Sequence, residues 1–158
     1  MFLLRVTVAA FIAIACVLLP HIAHAELGGP LSSVSVDRGR LGAQMKSVAT
    51  GHYARHELTR PNGGMVREFT NAKGEVFAVT WAGPGKPDLR SVLGRYFAAL
   101  QTGSGATGRS MHSLRRPAQV SDADLQIQTG GHMGWFHGVA FVPSLAPAGF
   151  STSDLPQP

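Results

Sequence analysis

Three short runs rich in β-forming residues, His52–Arg60, Met65–Thr70 and Glu75–Trp81, alternate with two clusters of turn residues, Pro61-Asn62-Gly63-Gly64 and Asn71-Ala72-Lys73-Gly74. Asn and Gly enter the positive-φ conformations of tight hairpins at little cost, so the pattern predicts a three-stranded antiparallel meander. If Gly74 closes a three-residue loop, Phe69 falls opposite Phe77, Arg67 opposite Val79 and Met65 opposite Trp81. One face then gathers the large apolar side chains, joined by Ala54 and Leu58. The other face receives Tyr53, Arg55, Glu57, Glu68 and Thr80 and is expected to be wetter.

After Gly83-Pro84-Gly85 the period changes. Leu89, Val92, Leu93, Tyr96, Phe97 and Leu100 recur at helical spacing, which predicts one amphipathic helix from Asp88 to about Gln101, lying on the apolar face of the meander. A weaker helix is expected from Ser33 toward Gln44, with Gly39 and Gly42 against it. Downstream, Thr102–Ser110 reads as a Gly/Ser/Thr-rich loop. Met111–Arg116, Asp124–Thr129 and Met133–Val142 read as strands, with Gly130-Gly131 turning the last two into a hairpin. Ser151–Pro158 reads as a disordered polar tail. The expected fold is α+β: an antiparallel sheet, made of the meander and a C-terminal hairpin, packed against one principal amphipathic helix.

The N-terminal pattern has a different origin. Arg5 precedes a stretch from Val6 to Leu19 that is apolar but for Thr7, followed by Pro20 and the small-residue tripeptide Ala23-His24-Ala25. This is the order of a secretory signal, and the stretch falls short of the roughly 20 residues that a membrane-spanning helix needs. Residues 1–25 are therefore expected to be a cleavable signal, 26–150 a single exported domain without a transmembrane anchor, and 151–158 the tail. Ala13-Ile14-Ala15-Cys16 loosely resembles the box before a lipidated cysteine. Because the apolar run continues through Val17–Leu19, cleavage after Ala25 is the preferred reading and a lipoprotein anchored at Cys16 the alternative.

Cleavage would remove the chain's one cysteine, which excludes thiol catalysis and cysteine metal sites from the mature domain. It also removes Arg5, leaving 13 Lys and Arg against 9 Asp and Glu. These charges are interspersed rather than clustered, so no nucleic-acid partner is expected.

Candidate chemistry is sparse. Gly103-Ser104-Gly105-Ala106-Thr107-Gly108 spells a dinucleotide-binding string but follows a helix instead of a strand, so it reads as a connector and no cofactor is expected. Among His52, His56, His112, His132 and His137, the first two lie ~13 Å apart along a strand, too far for one metal ion. His132 and His137, an odd number apart, should face opposite ways, so no metal site is expected. Gly130, Gly131, His132, Met133 and Trp135 form the most unusual local composition: glycines that admit close backbone approach beside an aromatic and an imidazole, as in the wall of a ligand or partner site. His56-Glu57 and Arg67-Glu68, on neighbouring strands, are secondary candidates for acid–base chemistry, with a solvated charge ladder as the plainer reading.

Taken together, Tyr53-x-x-His56-Glu57-Leu58, Pro61-Asn62-Gly63, Val66-Arg67-Glu68, the stretch from Gly74 to Pro84, and Pro87-Asp88-Leu89-Arg90-x-x-Leu93-Gly94-x-Tyr96-Phe97 resemble the secreted proteobacterial domain of unknown function 2844. Asp124-Leu125-x-Ile127-Gln128-x-Gly130-Gly131-His132-Met133, Val142-Pro143 and Pro147-Ala148-Gly149 extend the resemblance. It implies a small exported domain and supplies no catalytic residue or cofactor. The expected function is a non-catalytic binding domain for an envelope protein or small ligand. The alternative is a periplasmic enzyme using His56 or His132 with a nearby carboxylate.

Overall fold

The computed structural model describes residues 26–103, 118–122 and 124–155. Helix α1 (Leu31–Arg40) leads into strands β1 (Gln44–Thr50), β2 (Tyr53–Thr59), β3 (Met65–Asn71) and β4 (Val76–Pro84). Two short helices follow, α2 (Leu89–Leu93) and α3 (Phe97–Gly103), then β5 (Ala118–Asp122), β6 (Leu125–His132) and β7 (Trp135–Phe141). All seven strands form one antiparallel sheet in the order β1-β2-β3-β4-β7-β6-β5. The expected meander and hairpin are thus parts of a larger sheet, joined where β4 pairs with β7.

Two of the strands went unanticipated. Every residue of β1 is exposed, so this edge strand lacks the hydrophobic alternation that marks a half-buried one. Strand β5 pairs through polar Gln119 and Ser121 as well as Val120. The strand expected at 111–116 lies outside the described residues.

The single principal helix is also corrected. Gly94, at φ 51° and ψ −123°, ends α2. A short 3-10 turn, Gly94–Tyr96, then leads into α3. The break has a cause. A side chain at Gly94 would collide with Glu26, whose Oε2 accepts a hydrogen bond from the Arg95 amide at 3.1 Å. The apolar stripe survives the interruption: Leu89, Val92, Leu93 and Leu100 are buried, and Tyr96 and Phe97 pack against them.

Helix α1 begins after Pro30, so Ser33 lies within it, and it ends at a glycine cap. Gly42 has φ 57° while the Ala43 amide donates to Arg38 O at 2.9 Å. That closure is what turns the chain into β1.

The sheet carries a core on each face. Helices α1, α2 and α3 cover one, over Leu58, Val66, Val79, Trp81, Ile127 and Ala140. The other holds an aromatic cluster, Tyr53, Phe69, Phe77 and Phe141, capped by Leu145, Phe150 and Leu155 from the C-terminal segment. The tail expected to be disordered is therefore packed as far as Leu155, with Ser151 and Asp154 forming a capping box around a 3-10 turn.

The register explains the second core. Beside the Gly74 turn, Thr70 faces Val76, as a three-residue loop requires. One step later Phe69 faces Ala78 instead of Phe77, because Phe77 is the extra residue of a β-bulge. Beyond the bulge every partner shifts by one: Arg67 meets Thr80, and Met65 meets Ala82. A one-residue slip exchanges faces, so Glu68 joins the helix side while Phe69 and Phe77 go to the other.

Candidate functional site

Strands β6 and β7 turn over Met133 and Gly134, since His132 faces Trp135. Gly134 supplies the positive φ of 85° that the tight turn needs. The expected turn residues Gly130 and Gly131 instead lie inside β6, where each makes room for a neighbour. The His137 ring occupies the space a Gly130 side chain would fill, and a Gly131 Cβ would sit 2.5 Å from Trp135 O.

Passing through the two-residue turn returns the chain to the same face. His137 faces Gly130, two residues from His132, so the two histidines share a face rather than opposing each other. His132 Nδ1 lies 3.3 Å from Met133 O. Among the described residues, no group of three or more His, Cys, Asp or Glu side chains is placed to hold a metal ion.

At this tip Met133 is 95 % exposed and Trp135 46 %. A hollow of about 180 Å3 lies beside them, lined by Gly131, His132, Met133, Gly134 and Phe136. The tip is tied back to the sheet. Gly85 N donates to Gly134 O at 3.4 Å, and Arg60 and Asn62 from the β2–β3 turn donate to Gly85 O and Pro84 O at 3.0 and 2.8 Å. The sequence candidates Gly131, His132, Met133 and Trp135 are thus assembled on one braced hairpin end, while Gly130 acts one step inside it.

The secondary candidates are split by the sheet. Glu57 and Arg67 lie on the face opposite the helices, where Glu57 Oε1 meets Arg67 Nε at 3.1 Å and Arg55 Nε at 3.3 Å. His56 and Glu68 face each other across β2 and β3 on the helix side and are buried. Each dipeptide is divided because neighbouring strand residues point to opposite faces.

His56 is engaged at both ring nitrogens: Nδ1 with Ser47 Oγ at 2.8 Å and Nε2 with Thr70 Oγ1 at 3.0 Å. A neutral imidazole offers one donor and one acceptor, and two hydroxyls satisfy both. Burial depresses its pKa and keeps it neutral. This is the arrangement of a structural histidine rather than of a base awaiting substrate.

A buried group that the sequence did not single out stands beside it. Asp37 of α1, 1 % exposed, is buried beside Glu68 of β3, 2 % exposed, near enough for each carboxyl to shift the ionisation of the other. Burial raises the Asp37 pKa to about 6, and burial together with the Asp37 charge raises that of Glu68 well above the usual carboxylate range. Asp37 lay in a segment read only as a weak helix, and the register error placed Glu68 on the wetter face.

No curated protein and no solved structure matches the chain. The pattern of the family described as "protein of unknown function (DUF2844)" matches residues 23–155, which takes in α1, every strand and the braced hairpin, and the chain belongs to that family.

Proposed function

We propose that this chain is an exported, non-catalytic interaction domain whose β6–β7 hairpin tip docks an envelope protein. The observation that carries the reading is the exposure of Met133 and Trp135, two residues apart at a tight turn whose backbone is braced by Gly85. Large apolar side chains on a held turn present contact area with little ordering left to lose on binding. Tryptophan is among the residues that most often dominate such contacts. The hollow against Phe136 offers space for one partner side chain.

Export is supported by the signal pattern of residues 1–25. Leu27 is fully buried and its amide donates to Val92 O at 3.2 Å, and a mature chain beginning at Glu26 would keep both contacts. Among the described residues no helix is long and apolar enough to cross a membrane. The enzyme reading draws no support from His56, whose two ring nitrogens are both taken up by the hydroxyls of Ser47 and Thr70.

The test compares the wild-type mature domain with a Met133→Ser/Trp135→Ser variant as bait in an extract of the native cell envelope. A protein retained by the wild type and lost from an equally stable variant is the expected result. Recovery of the same proteins by both baits would remove the tip from the function.

A further inference from the structure

Two carboxyls, Asp37 and Glu68, are buried side by side where α1 packs on the sheet. Both oxygens of Asp37 and Oε2 of Glu68 are buried without a donor from the described residues. A carboxylate carries no hydrogen, so two ionised groups could offer each other only repulsion. One proton shared between the two would replace that repulsion with a hydrogen bond, where α1 meets the sheet.

We propose that Asp37 and Glu68 form a proton-dependent latch: one shared proton fastens α1 to the helix-side face of the sheet, and its loss as pH rises releases the helix. This goes beyond the docking role of the hairpin, which lies on other elements, and stands or falls separately from it.

The surroundings tune the latch without replacing it. Glu68 faces Asp37 from β3, and His56 lies beside Glu68 on β2 as a neutral ring. Arg40, on α1 itself, favours ionised Asp37, while Asp88, just before α2, disfavours it.

The segment before α1 is tied to β4 through Gly28, Gly29 and Pro30, but the helix itself buries few side chains. Its buried side chains are Ser33, Val34 and Asp37, and its sequence, LSSVSVDRGR, combines serines, valines and a glycine with low intrinsic helicity. Once unlatched, α1 would uncover Val34 and the polar group of His56, Glu68 and Thr70.

The sign follows from proton binding. In the released state both carboxyls ionise near their ordinary values around 4, whereas the latched state keeps a proton well above that. The latched state therefore binds more protons, and its advantage falls as pH rises through the folded-state range. While one proton separates the two states, opening increases by up to tenfold per pH unit.

The experiment is amide hydrogen exchange on the mature domain from pH 6 to 8, read as protection factors, which remove the chemical pH dependence of exchange. Wild-type α1 amides should lose up to tenfold protection per unit while β3 and β4 amides hold theirs. Glu68→Gln and Asp37→Asn, each replacing a carboxyl by a neutral amide that can donate, should each flatten the α1 dependence. The two variants test the latch separately. Wild-type α1 protection that does not change with pH, or a dependence that survives in either folded variant, overturns the proposal.

Discussion

The indole of Trp81 occupies the space that a side chain on Gly138 would need, and the two residues are direct partners across β4 and β7. These strands join the two halves of the sheet, so the missing side chain lets the largest helix-side aromatic lie at the seam.

Gly138→Ala should therefore destabilise the domain although its backbone conformation suits alanine. The new methyl would meet the Trp81 ring and also come within 2.7 Å of Gln128 O, on the far strand. Overpacking of this kind costs about 1–3 kcal/mol, to be read as a lower urea midpoint at unchanged m-value. An unchanged midpoint would mean the seam is not close-packed.

Phe150 closes the second core. Its ring centroid lies 4.7 Å from that of Phe77 and 5.2 Å from that of Tyr53, both in edge-on geometry. Phe150→Ala should destabilise by roughly 2–3 kcal/mol, below the full range for a wholly buried phenylalanine because the side chain is only partly buried. The near-ultraviolet circular dichroism of Tyr53 should weaken in the same variant. A melt matching wild type would show that the C-terminal segment does not contribute to the core.

His56 and the carboxyl pair impose opposite pH slopes. Burial keeps His56 neutral in the folded chain, whereas the unfolded chain takes up a proton as pH falls below about 6.5. Its contribution is thus present above that value and lost in acid. In a Glu68→Gln background, stability from urea titration should rise between pH 5 and 7 by up to ~1.4 kcal/mol per unit. Adding His56→Asn should flatten the rise. A rise of equal steepness without the imidazole would assign it to another group.

What the sequence disclosed follows the physics of its signals. The β2–β3 and β3–β4 hairpins were legible because Asn and Gly cluster at their turns, where Gly63 and Gly74 take positive φ. The bulge at Phe77 leaves no mark in composition, and that one residue moved Phe69 and Phe77 to a second core and Glu68 to the first. Strand β1 escaped detection because its residues are all exposed. Gly94 was visible as a glycine within the helical stripe, but its clash with Glu26 depends on a contact distant in sequence. For the candidate site, the Gly-His-Met-Gly-Trp composition marked a hairpin end, but the turn falls at Met133-Gly134 and not at Gly130-Gly131. The Asp37–Glu68 contact required knowing which face each occupies.

The most direct test of the docking role is photo-crosslinking in living cells, with a benzophenone amino acid placed at position 133 or 135 and, as controls, at exposed Ser35 and Lys73. The account predicts a discrete adduct with one envelope protein from the hairpin positions and none from the controls. Adducts of equal yield from all four positions, or from the controls alone, would contradict it.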